Sequence, residues 1–228
     1  MKGTLYGLGV GPGDPELMTL KAHRLLQQVP VIAYSAPEQG ESPARAIAAP
    51  YIPADCTEIL VRTTKDGTSP TSESASDDVV KEIAEILLKG HDIVLLCEGD
   101  PLFYNDSQPL LVGLAEHFSI QIVPGVSSLS ACAAALGSPL AARDEQLLVI
   151  PAGLAARTLT IKLSETDAAA VIDLNGHFAK VRDCLAVTGL LPRSRYIEHA
   201  THDRQRVLSL DQVDSEQVPR CSMVLMRR

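Results

Sequence analysis

The run Ile93-Val94-Leu95-Leu96 constrains the fold more than any other segment. Four aliphatic residues, preceded by a helical pattern that stops at Gly90 and followed by Cys97-Glu98-Gly99-Asp100-Pro101, read as a buried strand. In an open parallel sheet, ligands bind at the loops beyond the carboxyl ends of the strands. Gly99 lets another group approach the backbone closely. Asp100 either accepts hydrogen bonds from a ligand or holds the turn. The motif alone leaves both readings open.

The rest of the chain supplies the other elements of such a sheet. Strand-like segments are expected at Thr4 to Gly9, Val31 to Tyr34, Ile59 to Val61, Ile120 to Val123, Leu147 to Ile150, Ala169 to Ile172 and Met223 to Met226. Helical spacing is seen from Glu16 to Gln28, from Pro43 to Tyr51 and from Asp77 to Lys89, then from about Leu110 and over Leu129 to Leu136. Lys65 to Ser76, rich in Thr, Ser, Gly, Asp and Pro, interrupts this order and is expected to be a mobile surface loop. Alternation of this kind predicts an α/β fold with mostly parallel or mixed sheets. At 228 residues there is room for two domains, with a boundary near Phe118 giving 1–117 and 118–228.

A net charge of -8 argues against a nucleic-acid partner, which would require clustered basic residues. No stretch approaches the ~18 consecutive apolar residues of a membrane span. Five widely spaced cysteines without a Cys-x-x-Cys pair argue against a metal site and fit reduced thiols in a cytoplasmic protein.

Three strand-terminal turns stand out together: Gly7-Leu8-Gly9-Val10-Gly11-Pro12-Gly13-Asp14, the acidic turn, and Pro124-Gly125-Val126-Ser127-Ser128. The first fits neither Gly-x-Gly-x-x-Gly, since Asp14 stands where the last glycine belongs, nor a P-loop. In this order and spacing the three resemble the tetrapyrrole methylase superfamily of S-adenosylmethionine-dependent enzymes. Ser42-Pro43-Ala44-Arg45, Asp100 to Tyr104 and Ile197-Glu198-His199-Ala200-Thr201 resemble most the branch that methylates C20 of precorrin-2 in cobalamin biosynthesis.

The resemblance implies two α/β domains with S-adenosylmethionine in the cleft between them, the first on the substrate side and the second on the cofactor side, in a homodimer with a small-molecule tetrapyrrole substrate. Carried over by position, cofactor contacts fall on Pro12, Glu98, Gly99, Asp100, Phe103, Ser127, Ser128, Asn175 and Ala200. The carboxylate-rich substrate calls for local positive charge, for which Arg45 and Arg62 are the candidates, with Lys65 equally readable as surface charge. No residue presents itself as the base that removes the C20 proton.

The chain departs from the branch at Asn105-Asp106-Ser107, Val61-Arg62-Thr63-Thr64 and Leu174-Asn175. These departures leave open methylation at another tetrapyrrole position or of another substrate. They also leave open a scaffold that binds cofactor or tetrapyrrole without turnover.

Overall fold

The computed structural model describes residues 1–37, 39–63 and 77–228. The whole of the loop expected at 65–76, with Lys65, lies outside the described residues, as does Thr64. The chain forms two compact units, Met1–Ser127 and Ser128–Arg228.

The first unit is built on five parallel strands: β1 (Thr4–Gly9), β2 (Val31–Ala36), β3 (Thr57–Arg62), β4 (Ile93–Cys97) and β5 (Ser119–Val123), in the order β3-β2-β4-β1-β5. The aliphatic run is β4, and all five of its residues are buried, as a central strand covered on both faces requires. Helices α1 (Leu20–Leu26) and α2 (Pro43–Ala48) cover one face through Ala22, Leu26, Ala44 and Ile47. Helices α3 (Asp77–Leu88) and α4 (Gln108–Ala115) cover the other through Ile83, Leu87, Leu110 and Leu114.

Two expectations are corrected here. The helix read over Glu16 to Gln28 is shorter. Pro15–Leu17 forms a 3-10 turn, the backbone extends at Met18, and α1 begins after Thr19, whose hydroxyl accepts from Ala22 N–H at 3.2 Å. The division near Phe118 falls later, between Ser127 and Ser128, because β5 pairs with β1 along Thr4↔Ser119 to Leu8↔Val123 and so belongs to the first sheet.

The second unit begins with α5 (Ser128–Leu136), followed by β6 (Leu147–Pro151), α6 (Ala156–Ser164), β7 (Ala168–Ile172), α7 (Phe178–Val187), β8 (Ser194–Glu198), β9 (Arg206–Leu208) and β10 (Ser222–Arg227). Its sheet is mixed, in the order β6-β7-β10-β8-β9. β6 and β7 are parallel, and β10 is antiparallel to both β7 and β8, so β6, β7 and β8 point the same way. Their carboxyl ends share one edge. Leu159 and Leu163 of α6 join Phe178, Val181 and Leu185 of α7 in the core of this unit.

Candidate functional site

Strands β4, β1 and β5 are neighbours, so the three glycine-containing turns leave the carboxyl edge of the first sheet side by side. They are joined by backbone contacts. Gly11 and Gly99 form an antiparallel bridge, with Gly99 N–H donating to Gly11 C=O at 2.8 Å, and both take positive φ, 86° and 64°. A Cβ on Gly125 would lie 2.0 Å from the Gly99 carbonyl oxygen, and one on Gly9 would lie 2.5 Å from Gly125 N. Glycine is therefore required where these turns cross.

Asp100 occupies the centre of this arrangement. One carboxylate oxygen accepts from Leu102 N–H at 2.9 Å, and the other accepts from Gly125 N–H at 3.1 Å, linking the acidic turn to the turn after β5. Of the two roles left open by the sequence, holding the turn is the one this geometry displays. Asn105, at a departure from the branch pattern, has a visible role: its Nδ2 donates to Glu98 C=O at 3.0 Å and its Oδ1 accepts from Ser107 N–H at 2.9 Å. Glu98 is half-buried, Gly99 and Pro12 are buried, and Phe103 is half-buried with its ring edge-on to Tyr104. Ser127 ends the first unit and Ser128 opens α5.

In the second unit, Asn175 and Ala200 follow β7 and β8, at the shared carboxyl edge. Asn175 is exposed, and its Nδ2 donates to Val218 C=O at 2.6 Å; Ala200 is buried. The Pro151-Ala152-Gly153 turn reaches the same edge, with Ala152 N–H donating to Ile172 C=O at 2.8 Å. Sequence reasoning missed this turn, although a strand running into Pro-Ala-Gly was a readable signal.

Among the described residues the non-glycine residues with positive φ are Tyr104, Asp173, His199 and Thr201, and all four lie in these turns. Such conformations are costly, Thr201 being β-branched, and they gather where a ligand site dictates the backbone. His199 adds a second anomaly: its Nδ1 is buried without a hydrogen-bond partner. Burial, with Arg204 nearby, holds its pKa below the ordinary histidine value. Next to it, buried Glu198 accepts from the Tyr196 hydroxyl and pairs with Arg206 at 3.1 Å.

Arg45 and Arg62 line one cavity of about 300 Å³ in the first unit, together with Tyr34, Glu41, Ser42 and Leu60. They are not equivalent. Arg45 is held by Glu58 through two hydrogen bonds, at 3.1 and 2.9 Å, whereas Arg62 donates to Pro37 C=O at 2.7 Å.

Crowded glycine turns, strained turns and an orphaned buried nitrogen, all at the carboxyl edges of two α/β sheets, define a ligand-binding protein of the open-sheet class. The tetrapyrrole (corrin/porphyrin) methylase family profile matches residues 4–214. The chain belongs to that family. It is 41% identical to the cobalamin biosynthesis protein CobIJ of Mycobacterium bovis over 99% of its own length and 46% of that protein's, so it spans about half of that relative. It is 33% identical to the precorrin-2 C(20)-methyltransferase of a Sinorhizobium species, covering 98% of this chain and 95% of the other. A crystal structure of cobalt precorrin-4 methyltransferase shares the fold at a TM-score of 0.77 and 24% identity, covering 98% of this chain and 94% of that one. The uroporphyrin-III C-methyltransferase of Thermus thermophilus complexed with S-adenyl homocysteine does so at 0.72 and 23%, covering 99% and 92%.

Proposed function

We propose that this chain is an S-adenosylmethionine-dependent methyltransferase acting on C20 of precorrin-2 or its cobalt-containing counterpart. The observation that carries this reading is the end-to-end match to a relative named for that reaction, at 33% identity over 98% of this chain and 95% of the relative. The strained turns and the unpartnered His199 Nδ1 fit a polar ligand at the carboxyl edges. The cofactor would be held by Pro12, Glu98, Gly99, Phe103, Ser127 and Ser128, with Asn175 and Ala200 from the second unit. Asp100 keeps the acidic turn closed around it.

When bound, S-adenosylmethionine supplies a methyl group on a cationic sulfur that leaves as a neutral thioether. The protein's task is then largely positional: to hold the nucleophilic carbon at ~3 to 3.5 Å from the methyl group and in line with its bond to sulfur. Rigid backbone turns suit that task. The Gly11–Gly99 bridge and the Asp100–Gly125 hydrogen bond fix the turns without relying on long, mobile side chains.

No helix among the described residues is long and apolar enough to cross a membrane, and the five cysteines are free. We read the protein as a cytoplasmic homodimer, a state that sedimentation equilibrium would test. For the reaction, precorrin-2 and its cobalt complex are each incubated with methyl-13C-labelled cofactor, and the product is analysed by mass and NMR. Label at C20 supports the proposal. Label at another carbon moves the enzyme to another position, and no transfer by protein that binds S-adenosylhomocysteine favours a non-catalytic scaffold.

A further inference from the structure

The cavity lined by Arg45 and Arg62 differs in chemistry from the glycine turns. It lies where β2 and β3 end, and Ala36 and Arg62, the last residues of those strands, both face it. Its lining combines apolar Leu60 and Ala46 with two guanidinium groups, the Tyr34 phenol, acidic Glu41 and the Ser42 segment that caps α2. Ser42 is buried and its hydroxyl accepts from Arg45 N–H at 3.2 Å, which fixes the first turn of α2 and the base of the Arg45 side chain. Glu58 then grips the Arg45 guanidinium by its Nε and Nη2. These two bonds set the orientation of that group, which also interacts with the Tyr34 hydroxyl.

Arg62 is placed differently. A single hydrogen bond, from Nη1 to Pro37 C=O, anchors its guanidinium at the cavity, and among the described residues it has no carboxylate partner. An arginine tethered by one nitrogen keeps the rest of its donor fork for a planar anion.

We infer that this cavity is a carboxylate-recognition site for a pendant acid arm of the substrate, with Arg62 as the direct partner and Glu58 as the positioning residue that holds Arg45 beside it. This rests on the methyltransferase reading for the identity of the substrate, but the site is separate from the turns assigned to the cofactor. A cavity of about 300 Å³ is large enough for a short alkyl acid arm and too small for a macrocycle, so the ring itself must lie outside it.

The test uses uroporphyrin III, a stable tetrapyrrole bearing carboxylate arms, titrated by fluorescence against the whole protein, with S-adenosylhomocysteine binding measured in parallel by calorimetry. Arg62→Ala is expected to weaken uroporphyrin binding about tenfold and to flatten its salt dependence. Arg62→Lys keeps the charge without the fork and should recover only part of the loss. Glu58→Gln should weaken binding about threefold by freeing Arg45. All three should leave S-adenosylhomocysteine affinity within twofold. The carboxylate site is overturned if Arg62→Ala binds uroporphyrin as the parent does, if both ligands weaken together, or if the parent binds S-adenosylhomocysteine but not uroporphyrin. Failure of the parent to bind S-adenosylhomocysteine strikes the methyltransferase reading instead.

Discussion

The Asp100 carboxylate accepts a hydrogen bond from Gly125 N–H, tying the turn after β4 to the turn after β5 across the strand between them. A residue that resembles a ligand-binding acid is thus also the fastening of the architecture. Asp100→Asn keeps one acceptor oxygen and Asp100→Ala keeps none. Asp100→Ala is expected to cost about 1.5–3 kcal/mol, the range for hydrogen bonds to a charged group, and Asp100→Asn less. Urea denaturation of both variants checks the order. Cofactor affinity should fall in the same order, because the turn loosens in both; an Ala variant as stable as the parent would return Asp100 to a purely ligand-binding role.

Gly125→Ala is the sharper test of the crossing turns. Its Cβ would meet the Gly99 carbonyl oxygen at 2.0 Å, and backbone cannot move aside as a flexible side chain can. A loss of at least about 2 kcal/mol is expected, near the severe end for single substitutions. Gly137→Ala has open space around the new methyl, though its φ of 59° still carries some strain. Comparing the two melting temperatures separates steric overlap from the cost of a left-handed backbone.

The parallel sheet of the first unit was legible because its strands are short aliphatic runs with punctuation at both ends, as at Gly90 and Pro101. The mixed sheet of the second was less so. Arg195 and Glu198 make β8 look polar in sequence, yet Tyr196, Ile197 and Glu198 are buried, the acid being satisfied by Tyr196 and Arg206. At the site, glycine turns announce themselves, whereas a left-handed His199 or Asp173 is imposed by tertiary structure and leaves no local trace. The partner of Arg45 was equally hidden, since Glu58 lies 13 residues away on a neighbouring strand.

The Arg45–Glu58 pair carries a pH signature. The hydrogen bonds from Arg45 outweigh burial and hold the Glu58 pKa below the ordinary glutamate value. A lowered carboxylate pKa stabilises the fold fully above the unfolded value, and the benefit is lost as pH falls through the lowered folded value. With both side chains about a third exposed, the coupling should not exceed about 1 kcal/mol. A double-mutant cycle of Arg45→Ala and Glu58→Ala should show it at pH 7 and lose it as the pH is taken well below the ordinary glutamate range. A coupling independent of pH would contradict the ion-pair origin.

Cys97 closes β4 directly beneath the acidic turn, and burial pushes its thiol up to about 12. At pH 8 the thiolate that reacts with alkylating agents is almost absent. Iodoacetamide labelling followed by peptide mass spectrometry should leave Cys97 unmodified in the native protein and modify it in denaturant. Rapid native labelling would mean that the turn opens readily, contrary to the bonds that close it.

His199 combines a left-handed backbone at φ 50° with a buried nitrogen lacking a partner, so the fold sustains two local costs at one residue. Asparagine tolerates that backbone region better than most residues, and glycine tolerates it without penalty. His199→Gly removes both costs and is expected to hold or raise stability by up to about 1 kcal/mol, where an ordinary buried-side-chain deletion would lower it. If the strain is kept for ligand binding, the same substitution should weaken S-adenosylhomocysteine severalfold, and stability and affinity will move in opposite directions. Thermal melts and calorimetry on one protein preparation decide it: loss of stability with unchanged affinity would make His199 an ordinary structural residue.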